Sequence, residues 1–158
     1  MSQIKFFSRG VARKGRAKTS ARIVTNKATG RAQVFTRHYT PEKTVSYENL
    51  VRLAAEQAMS GRVPFAGPVR LDLDIVCPVP TSWSGVRQRR ALAGEIVPTT
   101  KPDKDNVEKA VCDGLNGVAF SDDCRITEGS QRKRYGLTPG VTVVVTELDT
   151  EPAQGRRK

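Results

Sequence analysis

Two stretches of the chain repeat apolar residues at helical spacing, and a third alternates them. Over 45–60, Tyr47, Leu50, Val51, Ala54, Ala55 and Ala58 return every three or four positions, which predicts an amphipathic helix opened by Thr44 and stopped at Gly61. Its stripe reads as core. Over 106–116, Val107, Ala110, Val111, Gly114 and Leu115 do the same. Asp105 or Asn106 is the expected N-cap there, Pro102 keeps Lys101 extended, and Gly114 with Gly117 ends the helix near Asn116. Over 69–76 the period drops to two. Leu71, Leu73 and Ile75 face one way while Arg70, Asp72 and Asp74 face the other, the pattern of a strand with one buried face. Pro78 and Pro80 close it.

The remaining elements are shorter. A strand starts at 4–7, and 22–25 with 32–39 form a hairpin through 26–30 in a basic sheet. A short basic helix occupies 84–93, preceded by Trp83, which reads as a packing anchor. A second hairpin is expected to join 124–134 to 141–147 through 136–140, with 141–145 the best core strand. These elements predict one α+β domain over 1–148, a mixed or antiparallel sheet covered by the helices at 45–60 and 106–116. Residues 149–158 read as a flexible C-terminal tail.

Composition narrows the class. At 158 residues with 37% hydrophobic positions, the chain can bury one modest core. No charged-then-apolar leader opens it and no apolar run nears about 18 residues, so neither secretion nor a membrane is expected and a reducing cytoplasm is. Cys77, Cys112 and Cys124 are scattered and His38 is the only histidine, which gives little support to zinc or a disulfide framework.

Charge says more. The formal net charge is +11, and residues 1–41 hold ten basic residues before the first acid, Glu42. A block of this kind repels itself unless a polyanion neutralises it, so nucleic acid is the expected partner. Arg13, Lys14, Arg16 and Lys18 lie in a Gly-containing loop over 8–20 that reads as phosphate-tracking, and Arg87, Arg89 and Arg90 of the short helix, with Lys101, are further candidate phosphate contacts. A solvated basic arm with nonspecific affinity is the plainer alternative.

Against that background the stretch 101–123, KPDKDNVEKAVCDGLNGVAFSDD, stands out for its acids. Asp103 and Asp105 precede the second helix, and Asp122 and Asp123 follow it after a turn that could carry the chain back. Such a path could gather Asp103, Asp105 and Asp123 in one cluster. Clustered carboxylates are unfavourable unless a cation sits among them, and an all-oxygen set suits Mg²⁺. Such an ion could generate a hydroxide nucleophile for phosphodiester cleavage. The alternative is a solvated helix cap and a turn, and spacing leaves both open. An EF-hand is excluded, because its required glycine would fall on Glu108. Lys109 lies four residues after Asp105 and four before Asp113, so it either forms surface salt bridges or sets an ammonium beside the acids. Asp72 and Asp74 sit in strict strand alternation, which favours a salt-bridged face over metal ligation.

These residues carry a resemblance. KPD, then DN, a lysine three residues after the asparagine, Asp-Gly-Leu-Asn-Gly and a DD pair together resemble the central motif of the RusA family of Holliday junction resolvases. The resemblance implies a small dimeric endonuclease of bacteria and prophages that needs Mg²⁺ (Mn²⁺ as a substitute) and acts on four-way DNA junctions. It implies that Asp103, Asp105 and Asp123 bind metal, with Asp122 the neighbouring candidate, and that Lys109 is catalytic. It extends more weakly to Lys14-Gly15-Arg16 and to the helix opening Thr44-x-x-Tyr47-Glu48. Where the family usually has an aromatic residue, often Trp, close before the DD pair, this chain has Ala119, Phe120 and Ser121. The competing reading is a basic nucleic-acid-binding module without catalysis. Charge alone does not separate the two, because backbone binding is salt-sensitive in both.

Overall fold

The computed structural model of the protein describes residues 2–11, 18–25, 32–39 and 42–150. In chain order these form β1 (Gln3–Arg9), β2 (Lys18–Thr25), β3 (Ala32–Tyr39), α1 (Glu42–Met59), β4 (Val69–Pro78), α2 (Gly85–Leu92), α3 (Lys104–Leu115), a 3₁₀ turn (Asp123–Arg125), β5 (Ile126–Gly136) and β6 (Gly140–Glu147). β2 and β3 pair with each other in their own two-stranded antiparallel sheet. The other four strands make a mixed sheet in the order β1-β6-β4-β5. β6 runs antiparallel to β1 and β4, and β5 runs parallel to β4. The whole is one α+β unit with helices packed on the sheet, as expected.

The alternation read in the sequence governs the sheet. Leu71, Leu73 and Ile75 of β4 stand opposite Val145, Val143 and Val141 of β6, and all six are buried. Ile4 of β1 joins them opposite Val145. Against this face lie Val51, Ala55 and Met59 of α1 and Val107, Val111 and Leu115 of α3. β-branched residues crowd the strands because their stiff side chains fill a half-buried pleat well. On the uncovered face Asp72 accepts from Arg70 Nε at 2.8 Å and Ser130 Oγ at 2.6 Å, and Asp74 pairs with Arg132 and Arg134 at 3.0 and 2.8 Å. The hydrogen bond from Arg70 is the main force holding the Asp72 carboxyl below its ordinary range. Burial alone would raise Asp74, but the bonds from Arg134 and Arg132 outweigh it. The Asp72–Asp74 pair is a salt-bridged strand face.

The expected second hairpin is not formed. β4 lies between β5 and β6, so the two are next-but-one neighbours. Strands are about 4.8 Å apart, so the short 137–139 link has only about 10 Å to span. β5 instead returns from β4 by a helical crossover through α2 and α3, as a parallel pair requires. The strand expected from Cys124 begins at Ile126, because Asp122 caps a 3₁₀ turn there. Gly114 does not end α3 either. It sits inside the helix where α1 crosses, and a Cβ there would lie 2.8 Å from Glu48 O and from Val51 Cβ. Gly117, at φ +76°, makes the actual stop after the C-cap Asn116. No helix among the described residues is long and apolar enough to cross a membrane.

Candidate active site

α3 begins two residues earlier than its apolar pattern suggests, and this changes what the aspartates do. Its N-cap is Asp103, with extended φ −75° and ψ 144°, in place of Asp105 or Asn106. The Asp103 carbonyl accepts the first helical bond from Val107 N at 3.2 Å, yet its side chain makes no capping bond. Asn106 Nδ2 donates to Asp103 Oδ2 at 3.3 Å, so the carboxylate is held by a side chain of the first turn. Asp105 lies in the first turn, where the helix dipole favours a negative charge. Both aspartates are exposed, as is Lys109 one turn beyond Asp105. Asp105 lines an open groove of about 630 Å³ with Lys104, Glu108 and residues 126–131 of β5.

Two side chains from β5 hold this end of the helix. Lys133 Nζ donates to Thr100 O at 2.7 Å and to Pro102 O at 3.1 Å, and Gln131 Nε2 donates to Glu108 Oε2. No motif or spacing in the sequence singles out Lys133. The signal was its parity with Tyr135, which becomes informative only once the register against β4 is known.

The other aspartates stand elsewhere. After α3 the chain turns through Phe120, fully buried and bridged to Phe65 and Asn116. Asp122 Oδ1 then accepts the Cys124 N–H at 3.0 Å. That backbone bond is the first cause holding the Asp122 carboxyl below its usual range. Asp123 is the exposed first residue of the turn. Residues 102 and 108 meet 133 and 131, so α3 runs opposite to β5. The start of β5, three residues after Asp123, lines the same groove as Asp105. Among the described residues no three His, Cys, Asp or Glu side chains come together to hold a metal ion. Asp103, Asp105 and Asp123 are accordingly not part of one such group among the described residues.

The candidate phosphate contacts fall into three situations. Arg13, Lys14 and Arg16 lie outside the described residues, and Lys18 opens β2. Arg87 lies over the Trp83 ring at 3.9 Å, and Trp83 meets Tyr135 edge-on at 5.4 Å. With those two partners, Trp83 is a packing anchor. Arg90 pairs with Glu95 at 2.7 Å, while Arg89 and Lys101 are exposed.

A basic α+β chain that carries exposed carboxylates on the loops flanking one helix has the build of a nuclease. The comparison with known families places it: a match to Endodeoxyribonuclease RusA spans residues 15–146, and the chain belongs to that family of junction-resolving endodeoxyribonucleases. It is also similar to Uncharacterized protein YqaN of Bacillus subtilis (strain 168), at 34% identity over 110 residues, covering 68% of this chain and 77% of that one.

Proposed function

We propose that this chain is a divalent-metal-dependent endonuclease that resolves four-way DNA junctions by paired symmetric nicks, working as a homodimer. The observation that carries the reading is Asp103. It occupies the N-cap of α3 without a side-chain capping bond, two residues from Asp105, in a chain of net charge +11. A protein that only bound DNA would gain nothing from exposed carboxylates that repel phosphate.

The donor set is all oxygen, which suits Mg²⁺, with Mn²⁺ as a substitute. Asp103 and Asp105 would hold the ion and Asp123 would add a third carboxylate. Asp122 is the weaker candidate, because its carboxylate already accepts the Cys124 N–H. When bound, a divalent ion supplies a hydroxide nucleophile at neutral pH and offsets charge at the scissile phosphate. The chain's own groups do the rest. Lys109, four residues past Asp105 on the same helix face, brings an ammonium to charge that develops on the phosphate oxygens. Arg89, Lys101 and the basic segment with Arg13, Lys14 and Arg16 fix the DNA backbone in register.

That Asp103, Asp105 and Asp123 form no three-carboxylate group among the described residues of one copy is compatible with a homodimer. A four-way junction presents two like strands about an approximate two-fold axis, and one chain carries one motif. A second copy that set its Asp123 beside Asp103 and Asp105 of the first would complete two sites in matching positions.

The test is a labelled four-way junction incubated with the purified protein, with Mg²⁺ and with EDTA. Two symmetric nicks that require the metal are expected. Tight binding without cutting, in Mg²⁺ and in Mn²⁺, would return the chain to a binding module.

A further inference from the structure

Lys133 is a cation on the wrong side of its strand. In β5, Arg132 and Arg134 point to the uncovered face and pair with Asp74. Lys133 has the opposite parity. It stands across from Ile75, which is fully buried, on the face the helices cover. Lys133 is half-buried there, and its ammonium reaches acceptors on the chain. It finds two, the carbonyls of Thr100 and Pro102, at 2.7 and 3.1 Å. Charge-assisted bonds of this kind are shorter and roughly twice as strong as neutral ones. The two carbonyls flank Lys101, and the next residue after them is Asp103.

We infer that Lys133 is a positioning residue for the Asp103–Asp105 pair, a clamp from the edge strand that sets the backbone from which both carboxylates project. The N-cap itself does not set it, because Asp103 makes no side-chain capping bond. The Asn106 bond orients the Asp103 carboxylate but hangs on the same helix end. Among the described residues Lys133 ties residues 100–102 to the sheet through its side chain, and the Gln131–Glu108 bond ties the next turn. The helix start is thereby referred to a strand held by a ten-residue register with β4. The inference rests on the nuclease reading for its consequence, though not for the clamp itself.

Lys133→Met keeps the apolar stem and removes the donors, and Lys133→Arg restores donors to the same carbonyls. In the full chain, Lys133→Met should lower the cleavage rate at saturating junction by about 10²-fold, the scale for a misplacement near 1 Å. Junction affinity should hold within about 2-fold. Backbone amide exchange at residues 107–110, the first N–H groups bonded within α3, should rise while that of β4 stays unchanged, and Lys133→Arg should recover most of the rate. A normal rate in Lys133→Met, or a rate loss that arginine leaves unrestored and that tracks faster exchange throughout β4, would overturn the positioning role. If the wild-type protein cuts no junction, the nuclease reading fails and the clamp is still decided. Unchanged exchange at 107–110 would defeat it, and faster local exchange would uphold it.

Discussion

At Asp103 the backbone starts α3, while the exposed carboxylate makes no capping bond and accepts from Asn106. Asparagine caps helices as well as aspartate does, so Asp103→Asn should leave the thermal midpoint nearly unchanged. It removes one negative charge that a metal needs and that phosphate avoids. Cleavage of a junction should therefore fall to background while binding holds or tightens, as gel shift and nicking assays run side by side would show. Normal cutting by Asp103→Asn would end the assignment. Lys109→Ala should behave differently, losing about 10²–10³-fold in rate with little change in affinity, because its charge acts on the transition state. An unchanged rate would leave Lys109 as a surface charge. A third residue speaks to stability alone. Burial pushes the Tyr47 hydroxyl up to about 12, the neighbouring Ser8 hydroxyl pulling only slightly the other way, and neither oxygen has a hydrogen bond of acceptable geometry. A folded-state value above the ordinary 10.0 gives stability that is complete below pH 10 and lost as pH rises toward 12. Urea unfolding should show the wild type losing about 2–3 kcal/mol relative to Tyr47→Phe across that window. At pH 7 the variant should be no less stable, since it discards an unpaired buried hydroxyl. Parallel curves from pH 9 to 12 would show that the hydroxyl ionises in the fold as easily as in the open chain.

Among the elements, α1 and α3 depend on one glycine. A Cβ at Gly114 would sit 2.8 Å from a backbone oxygen and from two side-chain atoms of α1. Gly114→Ala would gain about 1 kcal/mol of helix propensity, but overpacking against another helix's backbone costs about 1–3 kcal/mol. The clash should win and lower the thermal midpoint, and a rise would mean that the helices separate easily. Gly114 also shows which parts of the fold could be read early. Its place in the apolar stripe of 106–116 was visible, but whether a glycine ends a helix or lets another approach depends on a partner distant in sequence. The same division holds elsewhere. The alternation of 69–76 and the stripe of 45–60 are local signals, and both elements formed. The pairing of 124–134 with 141–147 was inferred from nearness in sequence, whereas β4 intervenes because its two flanks take β5 on one side and β6 on the other. Of the site, the motif residues stood out by type and spacing. Lys133 and the N-cap position of Asp103 did not, since each follows from register and cap geometry that no local pattern encodes.

At the scale of the whole molecule the open question is where a third carboxylate comes from. Asp103 and Asp105 stand at one end of α3, and Asp123 follows its other end. If two copies share their sites across a two-fold, each site takes Asp103 and Asp105 from one chain and Asp123 from the other. Exposed Leu50 and Leu53 give α1 an apolar outer face that such a pairing could cover. The arrangement has a consequence that single-variant assays miss. Asp103→Asn and Asp123→Asn should each abolish cutting alone. In a mixed dimer both losses fall into one shared site, and the other site is left intact. Co-refolding the two inactive proteins in equal amounts should then restore nicking to about a quarter of the wild-type rate, since half the dimers are mixed and each has one working site. The product should be single nicks, because one working site cannot cut two strands at once. If each site were built within one chain, a mixed dimer would carry one defect in each and the mixture would stay inactive. Light scattering at micromolar concentration must show the dimer in the same samples, so an inactive dimeric mixture would refute the shared site while leaving the homodimer standing.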